Sequence, residues 1–433
     1  MDMSTKRQRI AELAKRKPKI CFTALNHYID MEWMREAYRR LRKDSAPGVS
    51  GQTVEDYGRE LNTNLETLIG KAKSGSYFAP PVKRVYIPKG TKGETRPIGI
   101  QETEDKLLQR AITMLMEPIY EQDFLECSYG FRPNRSAHDA LRAIWEQCMD
   151  LRVRWILDID IRKFFDTLVH KHLRRFLELR VRDGVITRLI GKWLNAGVLE
   201  HGTVHFPKEG TTQGQSISPL LSNIYLHYVL DLWFELVVKP RLHGGAFMVR
   251  FADDVAMGFA SKEDAEKVLE VLPKRLGKFG LSLHEEKTRM ISFGPPGTGG
   301  KRGTGTFDFL GFTHYWGKSW KGAWVIKRKT AKGRLSRALK RVSEWCRRNR
   351  HAPVAEQHVE LSQKLRGHYA YYGVTNNDRW VTRFWHEVKG IWRKWLNRRS
   401  WKSRMPWEKF YELLKVYHLP EPRVVHDYCA AKP

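Results

Sequence analysis

Cysteine is scarce in this sequence. There are five in 433 residues, Cys21, Cys127, Cys148, Cys346 and Cys429, scattered and odd in number. They show neither paired zinc spacing nor a disulfide framework, so a reducing cytoplasm is the expected compartment. No apolar run reaches the ~18 residues of a membrane-spanning helix, and no membrane partner is expected. The start, Met1-Asp2-Met3-Ser4-Thr5-Lys6-Arg7-Gln8-Arg9, is not followed by an apolar core, so a signal peptide is not expected. Acids are also in short supply. Asp and Glu total 48 against 77 Lys and Arg, a formal charge of +29. Self-repulsion of that size suits a protein whose partner is a polyanion. With 15 Trp, 16 Tyr and 19 Phe among the cations, nucleic acid is favoured over an anionic membrane surface. A hydrophobic share of 41% supports two or three packed domains.

Against this basic background two acidic clusters stand out. Asp253-Asp254 lie inside Val249-Arg250-Phe251-Ala252-Asp253-Asp254-Val255-Ala256-Met257. Phe247, Val249 and Phe251 alternate before them, and Val255, Met257 and Phe259 after. That pattern predicts two short strands meeting at a tight turn. Adjacent carboxylates repel unless a cation lies between them. The second cluster is Trp155-Ile156-Leu157-Asp158-Ile159-Asp160-Ile161, a β-prone run whose two acids share one face. A carboxylate in such a strand is costly to bury alone. If the two strands converge, three carboxylates can hold two Mg²⁺ ions, roughly 3.5–4 Å apart, around an attacking hydroxyl and a leaving phosphate.

Residues 1–75 read as mostly helical and polar, with a helix over 32–42 and another helix or helix pair over 54–73. Strands are predicted over 82–88 and 95–100 around a turn at 89–94, then helices over 104–120 and 139–150. The centre, about 150–315, mixes the 155–161 strand, a helix over 216–239, the 247–259 hairpin, a helix over 262–279 and one short strand at 307–312. From Lys327 to Arg350 eleven Lys or Arg face one acid, Glu344. Leu335, Ala338, Leu339, Val342 and Trp345 keep helical spacing there, so one face packs and the rest is positive. That imbalance points to phosphate contact. Further helices are predicted over 361–372 and 379–396.

Several motifs occur in an order that resembles bacterial group II intron-encoded proteins, a reverse transcriptase joined to a maturase domain. The likeness runs from about residue 32 to about 425. It rests on Ser45-Ala46-Pro47-Gly48-Val49-Ser50-Gly51; Ile87-Pro88-Lys89 with Arg96-Pro97-Ile98; Ser128-Tyr129-Gly130-Phe131-Arg132-Pro133-Asn134-Arg135-Ser136; and Asp160-Ile161-Arg162-Lys163-Phe164-Phe165-Asp166. It continues through Gly210-Thr211-Thr212-Gln213-Gly214-Gln215-Ser216, the Asp253-Asp254 turn, Gly280-Leu281-Ser282-Leu283-His284-Glu285-Glu286-Lys287-Thr288, and Leu365-Arg366-Gly367-His368-Tyr369. The resemblance implies an α+β right-hand polymerase with an antiparallel palm sheet and a helical thumb. It implies an N-terminal extension over 1–75, fingers and palm over 76–315, and a thumb/maturase domain over 316–433.

By the same resemblance Asp160, Asp253 and Asp254 are catalytic and bind two Mg²⁺, with Mn²⁺ able to substitute. The Ile161 backbone carbonyl is a second contact, and Asp158 an accessory acid. Lys89 and Arg96 meet the incoming triphosphate, Phe165 lies beneath the nucleotide sugar, Gln213 lies beside the nascent base pair, and Lys287 acts near the pyrophosphate or is a surface lysine. Arg132 and Arg135 face template RNA or the palm. Arg366, His368 and Tyr369 touch RNA or belong to a helix with buried aromatics. The implied partners are group II intron RNA, a template/primer duplex, deoxynucleoside triphosphates and target DNA, in a cytoplasmic ribonucleoprotein.

Three positions depart from the family pattern: Thr212 for Pro, Gln215 for Gly and Phe251 for Tyr. Many members end in a zinc-dependent endonuclease domain with paired cysteines. Here only Cys429 lies near the end, so second-strand cleavage is not expected and insertion would be primed at a replication fork. A splicing-only RNA-binding cofactor and a domesticated, defence- or CRISPR-associated reverse transcriptase are the alternatives.

Overall fold

The computed structural model describes residues 3–88, 95–207, 209–297, 305–400 and 404–428. Lys89, the 89–94 turn and Cys429 lie outside the described residues. The chain divides into two compact units. The first comprises residues 1–140, 157–257 and 262–289, and the second residues 141–156, 258–261 and 290–433.

The first unit opens with α1 (Met3–Arg16) and α2 (Met31–Arg39). Asp30 caps α2 by accepting the Trp33 N–H, and the Trp33 indole donates to the Ala111 carbonyl at 3.0 Å. Of the helix or helix pair expected over 54–73 the chain forms the pair, α3 (Val54–Arg59) and α4 (Leu61–Ser74). A reciprocal Thr53–Asp56 capping box starts α3. Strands β1 (Val82–Pro88) and β2 (Thr95–Ile100) form an antiparallel hairpin with Ile87 opposite Arg96. Helix α5 (Thr103–Tyr120) buries Leu107, Leu108, Ala111, Leu115 and Ile119. Along the chain α6 (Ala137–Asp150), most of which belongs to the second unit, and β3 (Trp155–Asp160) come next, then α7 (His170–Glu178) and α8 (Gly184–Leu194), which had no counterpart in the sequence reading. The Asp183 carboxylate caps α8 through the N–H groups of Val185 and Ile186. Strands β4 (Val198–Glu200) and β5 (Thr203–His205) extend the first hairpin into a sheet of order β2-β1-β4-β5.

The single helix expected over 216–239 is interrupted. Helix α9 (Ser218–Leu226) gives way to π turns at His227–Asp231 and Phe234–Val238. The wider turns rotate the chain less per residue. Asn223 and Asp231 are thereby able to reach one common partner, Arg250. Strands β6 (Ala246–Phe251) and β7 (Asp254–Phe259) are the predicted hairpin, and α10 (Lys262–Gly277) and β8 (Arg289–Ser292) follow. They make a second sheet of order β6-β7-β3-β8, so the strand carrying Asp160 lies beside the strand that starts at Asp254.

In the second unit the predicted 307–312 strand is two strands. Strand β9 (Phe307–Phe309) turns at Leu310 and Gly311, both at positive φ, into β10 (Phe312–Lys318). Two consecutive left-handed residues are the hairpin signal that the apolar run concealed. β10 pairs with β11 (Trp324–Thr330), giving the order β11-β10-β9. Lys327, Arg328 and Lys329 are therefore in a strand, and the basic helix α11 (Lys332–Arg348) begins only after it. Helices α12 (Val354–Tyr372), α13 (Asp378–Leu396) and α14 (Trp407–Val416) complete the unit. Leu335, Val342, Leu365, Phe384, Trp392 and Phe410 contribute to its core. No helix among the described residues is long and apolar enough to cross a membrane.

Candidate catalytic site

The β6–β7 hairpin has a two-residue connection, Ala252-Asp253, with Ala252 at φ +58. The turn sits on Gly130, where an added Cβ would fall 2.3 Å from the Ala252 nitrogen. A larger residue at 130 would push the turn away, which explains a glycine in that motif. The backbone beside it is tied on both sides. The Tyr129 N–H donates to the Arg250 carbonyl at 2.8 Å, and the Arg250 N–H to the Cys127 carbonyl at 2.7 Å.

Beneath the turn lies a buried guanidinium. Arg250 is fully enclosed and forms a two-pronged ion pair with Asp231, at 2.8 and 2.6 Å. It also donates to the Asn223 side chain at 2.9 Å, the Ser128 hydroxyl at 2.7 Å and the Ala252 carbonyl at 3.0 Å. Asn223 in turn donates to the Gly130 carbonyl at 2.7 Å. Every arm of this charge is used, and one arm holds the turn itself. Sequence reasoning passed over Arg250, Asp231 and Asn223. The one signal was a cation inside a strand otherwise read as apolar.

Asp253 is half-buried and Asp254 exposed. Burial pushes the Asp253 carboxyl above the usual carboxylate range, and the Asp160 charge adds to that push. Arg96 and Arg250 pull the other way. Asp253, Asp160 and Arg96, distant in sequence, therefore share one electrostatic neighbourhood.

Asp160 ends β3 between buried neighbours. Its backbone carbonyl accepts the His284 N–H at 2.8 Å, and Ile161, itself buried, bridges to Leu283. The 280–288 motif thus runs alongside the acid and brings Lys287 Nζ to 3.5 Å from an Asp160 oxygen. Both side chains of that pair are about half exposed, so it contributes little to stability. Asp158 turns to a different partner, Arg289, at 3.4 Å.

After Asp160 the chain bends at Lys163, φ +45, into a single 3-10 turn, Phe164–Asp166. Phe164 is buried edge-on against Tyr225, while Phe165 stays half-exposed. The Phe165 carbonyl accepts the Thr211 N–H at 2.7 Å. Gly210, at φ +85, lies so close to this turn that a Cβ would meet the Asp166 carbonyl at 2.7 Å. The 210–218 loop then crosses to β2. The Gly99 N–H donates to the Gln213 carbonyl at 2.7 Å, and Thr212 fills the space where Gly99 lacks a side chain. Two further N–H groups of the loop, those of Ser216 and Ile217, are accepted by the side chains of Gln101 and Gln109. Phe165, Gln213 and β2 with Arg96 form one connected frame. The two glutamines were not anticipated; Gln109 left a trace as a polar residue on the buried face of α5, and Gln101, in the β2–α5 connection, left none.

Arg132 is buried. Its guanidinium pairs with Glu121 at 3.0 Å and donates to the carbonyls of Leu125 and Ser128, so of the two readings it takes the one facing the protein. Arg135 pairs with Glu126 at 2.6 Å and lies over the Tyr129 ring. In the second unit Arg366 is exposed. His368 stacks on Phe384 at 3.7 Å, and burial lowers its pKa to about 4. The Tyr369 hydroxyl donates to the Pro420 carbonyl at 3.0 Å within the core. His368 and Tyr369 thus fall on the buried-aromatic side of their two readings.

Among the described residues no three His, Cys, Asp or Glu side chains form a ready-made metal cage. The donor set still suits a hard divalent cation. Asp160 ends a strand beside the one that starts at Asp254, and burial, with the Asp160 charge, holds the Asp253 carboxyl above its usual range despite Arg96 and Arg250. Mg²⁺ commonly takes one or two carboxylates and completes its shell with water and substrate phosphates.

A strand-borne acid lies beside a two-acid hairpin, and Arg96 of the β1–β2 hairpin acts on one of those carboxylates. The family model for reverse transcriptase (RNA-dependent DNA polymerase) matches residues 87–314, more than half of the chain, and the chain belongs to that family. It is 38% identical over 234 residues to Protein YkfC of Escherichia coli strain K12, covering 52% of this chain and 61% of that protein. It is 35% identical over 238 residues to Group II intron-encoded protein LtrA of Lactococcus lactis subsp. cremoris, covering 54% of this chain and 39% of that protein. A Saccharomyces cerevisiae protein, Putative COX1/OXI3 intron 1 protein, is 29% identical over 301 residues, 58% of this chain and 36% of its own length. The match thus spans less than two thirds of each of these relatives.

Proposed function

We propose that this chain is an RNA-directed DNA polymerase that works with a group II intron RNA, assisting its splicing as a maturase and copying it into cDNA during retrohoming. The single observation that carries polymerisation is the shared neighbourhood of Asp160, Asp253 and Arg96 at the β3 and β6–β7 strand ends. The intron reading is supported by similarity to proteins named for introns, one of them a group II intron.

In this reading Asp160, Asp253 and Asp254, with the Ile161 carbonyl, hold Mg²⁺, or Mn²⁺ in its place. Two bound ions supply positive charge for a primer 3′-hydroxyl and for triphosphate oxygens. Arg96 grips the triphosphate with paired N–H donors, and Lys89 serves the same anion. Phe165 crowds a ribose 2′-hydroxyl and selects deoxynucleotides. Gln213, anchored through its backbone on β2, lies beside the nascent pair. Lys287 gives its Nζ proton to the leaving pyrophosphate. Catalysis is then mostly positioning and charge stabilisation. The fingers, palm and thumb correspond to 76–315 and 316–433, preceded by the 1–75 extension, and the partners are intron RNA, a template/primer duplex and target DNA.

Primer extension on an RNA template tests this. The intact chain extends with Mg²⁺ and deoxynucleotides, and the double variant Asp253→Ala with Asp254→Ala loses cDNA synthesis while keeping RNA affinity. Surviving cDNA yield in that variant would refute the catalytic assignment. An intact chain that binds intron RNA yet extends nothing would leave a splicing-only cofactor.

A further inference from the structure

Beyond its root on β9, the β10–β11 ribbon pairs with no further strand among the described residues. β9 pairs with Phe312 to His314, whereas β10 and β11 stay in register from Phe312 opposite Thr330 out to Lys318 opposite Trp324. A bare two-stranded ribbon is marginal in water and needs its own cross-strand contacts. The end of this one is closed by two backbone hydrogen bonds, Ser319 N–H to the Ala323 carbonyl at 2.7 Å and Gly322 N–H to the Ser319 carbonyl at 3.1 Å, with Gly322 at φ +79. A left-handed glycine at the end of a three-residue loop is what such a turn requires.

At the apex of that turn stands Trp320, fully exposed. It packs against none of the described residues. A tryptophan with both ring faces in water gives nothing to the fold, so folding does not account for it. The ribbon's own residues carry one sign of charge. Residues 312–330 contain Lys318, Lys321, Lys327, Arg328 and Lys329 and no Asp or Glu. Lys329 lies over the Tyr315 ring at 5.3 Å, and Lys318 over the Trp324 ring at 5.8 Å. Rings and cations therefore alternate along the ribbon toward its tip.

We propose that this ribbon tip is a docking surface for an unpaired nucleobase, with Trp320 stacking on the base and Lys318 and Lys321 holding the phosphates on either side. The occupant follows from charge and shape. A ring free on both faces suits a planar partner, and the all-cationic flanks suit a polyanion. A paired base inside a duplex offers no free face, so the surface distinguishes loops, bulges and single strands from duplex. The closed turn presents the ring in advance, which lowers the ordering cost on binding. The proposal rests on the nucleic-acid reading above and adds the residue and the kind of nucleotide it takes.

The test uses the full chain and four probes of matched charge: a single-stranded RNA, a single-stranded DNA of the same sequence, a bulged RNA hairpin and a fully paired RNA duplex. Trp320→Ala is expected to weaken binding to probes with unpaired bases about tenfold and to leave duplex affinity unchanged, while Trp320→Phe keeps most of the affinity. The RNA and DNA strands compared show which sugar the site takes. An equal loss on the duplex, or no loss on any probe, would overturn the proposal. Primer extension by the intact chain is scored separately. An active chain with an indifferent Trp320 defeats this proposal alone, and an inactive chain with a sensitive Trp320 defeats only the polymerase reading.

Discussion

Under the β6–β7 turn of the first unit, Arg250 and Asp231 are wholly enclosed, and the guanidinium has a partner at every arm. On α11 of the second unit, Lys332, Arg334, Lys340, Arg341, Arg347 and Arg348 stay in solvent above an apolar core. The difference is one of purpose. A buried, fully bonded pair adds little net stability over apolar residues of the same volume, but its loss of one partner is severe, so it fixes a geometry. Exposed cations fix nothing. They attract a polyanion at a distance and weaken as salt screens them.

The largest effect is expected from breaking the buried side of this contrast. Arg250→Met leaves Asp231 uncompensated and should cost about 3–5 kcal/mol in chemical denaturation. Adding Asp231→Leu should recover much of that stability, because no buried charge then remains, while primer extension stays low because the Ala252 carbonyl has lost its anchor. Wild-type stability in Arg250→Met would mean that the pair does not hold the turn.

A smaller effect is expected in the helical core. The buried His368 has a pKa of about 4 in place of 6.5. Its folded value is depressed, so the unfolded chain takes up the proton first. Stability should be intact above pH 6.5 and fall between pH 6.5 and about 4, by about 3 kcal/mol for this group. Thermal melts across that window check it, and His368→Phe should flatten the dependence. A variant that keeps the full slope would show that other groups set it.

The smallest effect belongs to the exposed side. Arg366→Ala should lower intron RNA affinity a few-fold and reduce the log–log salt slope by about one, with no change in melting temperature. An unchanged slope would mean that this guanidinium meets no phosphate.

The sequence was most readable where one period dominated. Alternation around Asp253-Asp254 placed the hairpin, and helical spacing of Leu107, Leu108, Ala111, Leu115 and Ile119 placed the α5 core face. It was least readable where charge is buried. Strand β6 is enclosed on both faces through Arg250, so alternation gave no hint that this cation lies inside. In β11 the buried set is Ile326, Arg328 and Thr330, a strand pattern with an arginine at its centre, and the run of three cations read as the start of the basic helix. Convergence of Asp160 with Asp253 could only be wagered from the chemistry of paired acids. No local pattern records which strands become neighbours.

That convergence is tested most directly by non-additivity. Single-turnover extension on an RNA template should be measured for Asp160→Asn, Asp253→Asn and the double variant at saturating template/primer. Groups that act as one unit are expected to lose the same activity together as either does alone. The account predicts a double variant no slower than the slower single one. Losses that multiply, or activity that survives in the double variant, would contradict it.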